Sequence, residues 1–199
     1  HGETLAPLMR QAGFRYVFLG IENILDKELG FLKARSKNEQ RDHGHIVGNA
    51  TLNAIGHIRR NKMFVVGGLI VGNPDDTAES IETNLEFVRR YVDWPYIQHP
   101  TPYPRTPMTL DLQEKGLIAH DRVDEYDGTT AVLRTRDIAP LEIEFMRWRA
   151  ERWMKVRHMP KVLAHTPWFM MRNGLRMLGH TFRGCRLKNL VGLEEEHRA

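Results

Sequence analysis

The 199-residue chain is 41% hydrophobic and 27% charged and has a net charge of +4, a composition typical of a soluble globular protein. No run approaches 18 apolar residues, and the N-terminal segment has none of the features of a secretory signal. The sequence therefore predicts no transmembrane span and no export, and it predicts a cytoplasmic location. The single cysteine, Cys185, excludes an intrachain disulfide framework and a cysteine-only metal site within this chain.

The first part of the chain alternates helical and strand patterns. Apolar residues at helical spacing predict a helix over residues 5–12, and the apolar run 16–21 predicts a strand buried on both faces. A short helix follows over 26–32. Residues 33–44 are polar and charged and are expected to form loop or the start of a helix. Helical spacing returns from Ile46 and Val47 to Ile58.

A second apolar run, Met63 to Val71, predicts the next strand. A proline turn leads into a helix for which Asp76 or Thr77 is the expected N-cap. Residues 96–101 are a weaker strand candidate that ends in prolines, a helix follows to about residue 115, and Pro140 opens a long helix. This alternation predicts an α/β fold with parallel strands.

The carboxyl ends of parallel strands are where such folds bind ligands. Glu22 follows the first strand directly, and a carboxylate there can accept hydrogen bonds from a ribose diol. Alternatively, Glu22 caps the following helix or pairs with Lys27 or Arg35. From spacing alone this structural interpretation is favoured.

Glycines mark the second strand. Gly72 lies at its tip and could let an aromatic base approach, with Val71 as an apolar floor. Tight packing of a helix on the sheet is the alternative, and it is favoured for Gly67 and Gly68. Asp75 and Asp76 are interpreted as turn and cap residues.

Metal-ligating patterns are absent from the sequence. His43, His45 and His57 have no cysteine or carboxylate at zinc-site spacing, so surface histidines are expected and no metal ligand is predicted. Between Met146 and Lys188 there are eleven Lys or Arg residues and one acid. This basic segment could contact nucleic acid, an anionic membrane or a phosphorylated substrate, but a solvated basic face is favoured.

Three stretches together resemble one family. LMRQAGFRYVFLGIEN, FVVGGLIVGNPDDT and TPYPRTPMTLDLQEKGLI are similar, in order and spacing, to the last three strand units of the radical S-adenosylmethionine enzymes, in the branch that often carries a cobalamin-binding domain. The resemblance spans about Leu5 to Ile118. It implies the C-terminal part of a partial (β/α)6 TIM-like barrel over residues 1–118, with a helical, basic C-terminal extension over 119–199.

The resemblance also implies a binding site for S-adenosylmethionine. The first strand end would contact its ribose or amino acid part, the second would line its adenine, and the third would close the adenine side. No catalytic residue is identified. The implied cofactor-binding residues are Gly20, Glu22, Asn23, Ile70, Val71, Gly72, Thr101, Pro102 and Tyr103.

The chain departs from the family pattern in several places. Asn23 stands where the family has serine, Asp75 and Asp76 where it has Gly-Glu, and Arg105 where it has glycine. The three-cysteine motif that ligates a [4Fe–4S] cluster is absent, so the cluster ligands are expected upstream, in a longer parent. This chain alone is predicted to be inactive.

In that parent, the resemblance implies reductive cleavage of S-adenosylmethionine to a 5′-deoxyadenosyl radical that acts on a small-molecule substrate. Ferredoxin or flavodoxin would supply the electron. Cobalamin-dependent methyl transfer or oxidative cyclisation are the expected outcomes if a cobalamin domain is present.

Two other functions stay open on the sequence alone. The chain could be a cluster-free α/β binding module whose basic helical surface contacts RNA or an anionic membrane. It could also be a conventional barrel enzyme that uses Glu22 as a general acid or base.

Overall fold

A computed structural model describes residues 2–42, 45–165 and 167–182. The chain divides into two compact units, His1–Met154 and Lys155–Ala199. The predicted boundary between residues 118 and 119 stays a prediction.

The described residues form five strands and seven α-helices. The strands are β1 (Tyr16–Glu22), β2 (Glu39–Asp42), β3 (His45–Asn49), β4 (Phe64–Ile70) and β5 (Trp94–Gln98). The helices are α1 (Gly2–Gln11), α2 (Asp26–Phe31), α3 (Ala50–Arg60), α4 (Ala78–Tyr91), α5 (Pro107–Glu114), α6 (Pro140–His165) and α7 (Pro167–Phe182).

A three-stranded parallel sheet organises the first unit. Its strand order is β1-β4-β5, and Tyr16 pairs with Phe64 while Val66 pairs with Trp94. The α/β class and the parallel strands predicted from the alternation of elements are therefore confirmed. The described strands form an open sheet, and no barrel is formed by them.

One face of this sheet packs on helices and forms the main core. Val65 and Leu69 of β4 are buried together with residues of α3, α4 and α6. Gly67 lies on this face, and a Cβ there would come within 2.7 Å of the Val92 side chain. Tight packing against the sheet is thus the reason for glycine at position 67, as the sequence predicted.

The opposite face of the sheet is lined by aromatic side chains and is much more exposed. Phe18 and Tyr96 are 58% and 49% exposed, and their rings meet edge to face with centroids 5.8 Å apart. The expectation that β1 is buried on both faces is therefore wrong. Gly68 lies beneath the Phe18 ring, and a Cβ at position 68 would come within 2.7 Å of that ring. An aromatic ring rather than a helix therefore explains this glycine.

Two local predictions are corrected and one is confirmed. Residues 33–44, expected to form loop or the start of a helix, include a short 3-10 turn and also the strand β2, which pairs antiparallel with β3. Ile46 and Val47 lie in β3 rather than in a helix, because the Asn49 side chain accepts from the Leu52 backbone N–H and caps α3 at that point. The α1 prediction is confirmed, but Leu5 and Leu8 of its apolar stripe are exposed.

The outer edge of β5 is satisfied by other parts of the first unit. Glu151 of α6 accepts from the Ile97 N–H at 3.4 Å, and Arg147 of the same helix pairs with Glu151 at 3.3 Å. The His99 N–H donates to the Gly128 carbonyl. These bonds give partners to backbone groups that an edge strand would otherwise leave unpaired.

Within the described ranges, no helix is long and apolar enough to cross a bilayer. No cluster of three or more potential metal ligands occurs in that same part of the chain, while His43 and the side chain of His45 lie outside it. The expectation of surface histidines is wrong for His99 and His158, which are both buried.

Candidate functional site

Glu22, at the end of β1, has an unusual backbone. Its φ is +63°, a left-handed conformation that costs free energy for a residue with a Cβ, and the register with β4 shifts between Gly20 and Glu22. The shift turns the carboxylate back along the strand, where it forms an ion pair with Lys37. The Glu22 side chain is 27% exposed, so this carboxylate remains accessible to solvent.

Gly20 makes room for this ion pair. A Cβ at position 20 would lie 2.6 Å from Glu22 Oε1 and 3.0 Å from Lys37 Nζ. The Gly-Ile-Glu sequence therefore has a geometric basis: glycine at the first position lets the carboxylate at the third lie across the strand.

The partner of Glu22 is not one that the sequence predicted. Lys27 pairs instead with Asp75, with Nζ and Oδ2 3.7 Å apart, and the Arg35 side chain lies outside the described residues. Lys37 lies in the 3-10 turn within the segment expected to form loop or the start of a helix. Nothing in its sequence spacing distinguishes it, because the contact depends on how that turn folds back over β1.

Asn23 ties the ends of two strands together. Its side-chain amide donates to the Ile70 carbonyl at 3.2 Å, and its Oδ1 accepts from the Leu25 N–H at 2.9 Å. The residue is fully buried. Its side chain therefore positions the strand ends, and both of its polar atoms already have partners.

The end of β4 is closed by an internal network. Gly72 has a φ of +88°, and its N–H donates to Asp76 Oδ2 at 2.8 Å, as does the Asn73 N–H at 3.0 Å. Ser80 Oγ donates to Asp76 Oδ1 at 2.7 Å. Of the two expected N-caps of α4, Thr77 is the cap, in a reciprocal capping box with Ser80.

The residues of this β4 end differ in exposure. Ile70 is half-buried, whereas Val71 and Gly72 are buried. A Cβ at position 72 would lie 3.2 Å from Ile143, on the core side. Packing and the turn at Asp76 are thus sufficient reasons for glycine at this tip.

Two buried carboxyls lie beside this turn. Burial, reinforced by the nearby Asp76, raises the pKa of Glu28. Burial also raises the pKa of Asp76, although its hydrogen bonds from Ser80, Asn73 and Gly72 oppose the shift. Both carboxyls therefore favour their neutral forms more than exposed carboxyls do.

His99 follows β5 and contacts the β4 end. Its Nδ1 lies 3.0 Å from the Val71 carbonyl, which requires the proton to be on Nδ1. Burial lowers the pKa of His99 to about 4, so the ring is neutral at pH 7. Its Nε2 has no hydrogen-bond partner within the described ranges.

The third strand end leads into α5. Thr101 is buried and donates to the His99 carbonyl, Pro102 is buried, and Tyr103 is exposed. The Tyr103 carbonyl accepts from Thr106 and Thr109, and Thr106 caps α5 with Pro107 in its first turn. Arg105 adopts a φ of +66° and so keeps the conformation that glycine favours at this position.

The parallel sheet places these three strand ends along one edge. The side chains of Glu22, Ile70 and Tyr103 retain exposure at this edge, while those of Asn23, Val71 and Thr101 are occupied in the framework beneath it. The predicted binding role of all nine residues stays a prediction.

Comparisons with known proteins found two methyltransferases. The chain is 24% identical over 143 residues to the bacteriochlorophyllide d C-8(2)-methyltransferase of Chlorobaculum tepidum. The aligned region covers 71% of the chain and 30% of that protein. The chain is 26% identical over 105 residues to an uncharacterised methyltransferase of Pyrococcus horikoshii, covering 52% of the chain and 21% of that protein. No family model matches the chain.

These findings correct the family resemblance drawn from the sequence. Identification with the radical S-adenosylmethionine enzymes is not supported, and what is shown is a methyltransferase-like relationship. The physical reason is that local structure accounts for much of each short motif. Gly20 makes room for an ion pair, Gly67 packs under Val92, and the Thr-Pro of the third motif caps α5. The comparisons give no support to the iron–sulfur cluster or cobalamin expectations, and the expectation of an electron donor stays a prediction.

Proposed function

We propose that this chain is part of an S-adenosylmethionine-dependent methyltransferase and supplies the edge that binds the adenosine part of the methyl donor. The methyltransferase-like relationship supports the reaction class. The matched region is less than a third of either relative, so the proposal concerns a longer enzyme, with this chain as one portion of its donor site.

The observation that carries the proposal is the strained Glu22. A left-handed φ on a non-glycine residue costs about 1 kcal/mol or more, and such strain collects at ligand-binding positions. Here the strain exposes a carboxylate at the end of a parallel strand, the position from which acidic side chains accept hydrogen bonds from ribose hydroxyls. The chemistry of Glu22 therefore fits the ribose of the donor.

The neighbouring residues fit the remainder of the nucleoside. Ile70 presents half-buried apolar surface at the adjacent strand end, and Tyr103 presents an exposed ring beyond β5. Apolar and aromatic surfaces are the usual contacts of a purine base. The fully buried Asn23 holds the β1 and β4 ends at a fixed separation through its bond to Ile70.

When bound, S-adenosylmethionine supplies an electrophilic methyl group on its sulfonium. In our proposal, Glu22 accepts hydrogen bonds from the ribose hydroxyls and fixes the orientation of the donor. Lys37 holds the Glu22 carboxylate in place and balances its charge. The rest of the enzyme would determine which class of substrate receives the methyl group.

The proposal extends to the fold. In a barrel, the exposed aromatic face of the β1-β4-β5 sheet would be the inner wall, since helices cover its other face. Parallel strands with helices on one side are the arrangement from which such barrels are built. We therefore retain the partial barrel as part of this proposal.

Equilibrium dialysis with radiolabelled S-adenosylmethionine tests the donor site on the 199-residue chain. We expect saturable binding that Glu22→Gln weakens about tenfold or more, because charge-assisted hydrogen bonds to the ribose are lost. Glu79→Gln, which removes the same charge from an exposed position on α4, is the matched control and should leave binding unchanged. Equal binding by the Glu22→Gln variant would refute the proposed role of Glu22.

A further inference from the structure

Helix α7 of the second unit carries an apolar stripe that faces solvent. Trp168, Met171 and Leu175 are 77%, 75% and 89% exposed. Their spacing of three and four residues places them on one face of the helix. A helix that packs into a core buries such a stripe, so these three side chains are available to a partner.

Basic side chains flank this stripe. Arg172 and Arg176 each follow a member of the stripe by one position, and both are exposed. From residue 152 to residue 193 the sequence contains nine Lys or Arg and no Asp or Glu. The helix therefore presents large apolar side chains beside positive charge, with no acid in its own segment to neutralise it.

We propose that α7 binds the surface of an anionic lipid membrane and lies in its plane. In this arrangement Trp168, Met171 and Leu175 enter the boundary between headgroups and acyl chains, and Arg172 and Arg176 contact the lipid phosphates. The stripe favours lipid over RNA: arginine and tryptophan suit both partners, but Met171 and Leu175 gain nothing from a phosphate backbone. This inference does not depend on the proposed methyl transfer.

Co-sedimentation of the full chain with vesicles tests the proposal. Vesicles of equal parts phosphatidylglycerol and phosphatidylcholine are compared with vesicles of phosphatidylcholine alone. We expect binding to the anionic vesicles that weakens as salt rises, and at least about tenfold weaker binding to the neutral ones.

Two sets of variants separate the apolar and charged contributions. Combining Trp168→Ser, Met171→Ser and Leu175→Ser should reduce vesicle binding at least about tenfold. The matched control combines Leu8→Ser, Leu110→Ser and Val123→Ser, three apolar residues of the first unit that are 60%, 62% and 61% exposed, and should bind normally. Circular dichroism verifies that each variant retains its helical content.

The charge variant combines Arg172→Gln and Arg176→Gln, with an expected loss of about fivefold for each arginine. Arg122→Gln with Arg136→Gln makes the same change in net charge at exposed positions of the first unit and should have no comparable effect.

Three outcomes would overturn the proposal. The first is no binding to anionic vesicles, or binding that neither α7 variant set weakens. The second is salt-sensitive binding to single-stranded RNA without vesicle binding. The third is sedimentation equilibrium showing that the apolar α7 variants convert a dimer into a monomer, since a second copy of the chain would then cover the stripe.

Discussion

The ends of β1 and β4 are neighbours in the sheet, yet they are built in opposite ways. At the β4 end, the N–H groups of Gly72 and Asn73 and the hydroxyl of Ser80 all bond to one buried carboxylate, Asp76. At the β1 end, Glu22 adopts a strained backbone, and its carboxylate stays partly exposed beside Lys37.

The difference indicates which end is framework and which is available to a ligand. The backbone N–H groups that bond to Asp76 are buried and paired, so these bonds contribute stability and leave those groups little to offer another molecule. A strained residue with an accessible charge costs stability, and a binding role can account for its presence. Substitutions test this contrast, from the largest expected effect to the smallest.

Removing the Asp76 carboxylate should have the largest effect on stability. Asp76→Ala leaves the buried N–H groups of Gly72 and Asn73 without an acceptor, and we expect a loss of about 3 kcal/mol in the free energy of unfolding. Urea unfolding followed by circular dichroism measures it. Asp75→Ala, one residue away, removes only partly exposed ion pairs and should cost less than about 1 kcal/mol. Equal losses would contradict the assignment of Asp76 as framework.

The histidine at the β4 end predicts acid sensitivity. The pKa of His99 is about 4 in the folded chain because of burial, against about 6.5 when unfolded, so folding favours the neutral ring. Its contribution is present above pH 6.5 and is lost as the pH falls towards 4, about 3 kcal/mol in all. We expect His99→Gln to remove this part of the pH dependence in urea unfolding between pH 7 and pH 4. If the free energy of unfolding depends on pH in the same way in the His99→Gln variant, His99 does not titrate as its burial implies.

Alanine substitutions at two glycines with positive φ separate the cost of backbone strain from the cost of crowding by neighbouring atoms. Gly72→Ala combines a φ of +88° with a Cβ 3.2 Å from Ile143 and should cost about 2 kcal/mol. Gly13→Ala has a φ of +97° in open space and should cost about 1 kcal/mol. Thermal unfolding of both variants measures the difference, and equal costs would mean that the β4 end has room for a side chain.

Among these variants, Glu22→Gly should give the smallest change in the free energy of unfolding and the largest change in the binding of S-adenosylmethionine. Glu22→Gly relieves a left-handed φ, which we expect to stabilise the fold by up to about 1 kcal/mol, less the small contribution of a partly exposed ion pair. Lys62→Gly relieves a similar φ of +56° just before β4, at the opposite edge of the sheet, and serves as the control. A marked loss of stability in Glu22→Gly alone would show that Glu22 is structural.

Periodicity was enough to predict the parallel strands and most helices, although the apolar stripe of α1 is exposed at Leu5 and Leu8. It could not predict that Phe18 is exposed, since an aromatic strand suits either a covered face or an open one. Nor could it find Lys37, whose contact with Glu22 depends on a turn within a polar segment. The cap of α4 was predictable to within one residue, and Thr77 was one of two candidates.

The strand ends that form the candidate site were only partly predictable from the sequence. Strand ends are fixed by where apolar runs stop, so the ends of β1 and β4 at Glu22 and Ile70 were found without coordinates. The third strand was predicted to end at Thr101, but β5 ends three residues earlier, at Gln98. Which of these residues face solvent depends on one β-bulge at Gly20 to Glu22 and on the bonds of Asn23. The short motifs reflect these local geometries, and interpreting them as family motifs overstated the relationship to the radical S-adenosylmethionine enzymes.

The most direct test of the contrast is a two-dimensional amide NMR titration of the chain with S-adenosylmethionine. The account predicts saturable shifts of the backbone amides at Gly20, Glu22 and Tyr103, with the Asn73 and Asp76 amides of the closed β4 turn changing far less. Shifts centred on Asn73 and Asp76, with Glu22 unaffected, would contradict it.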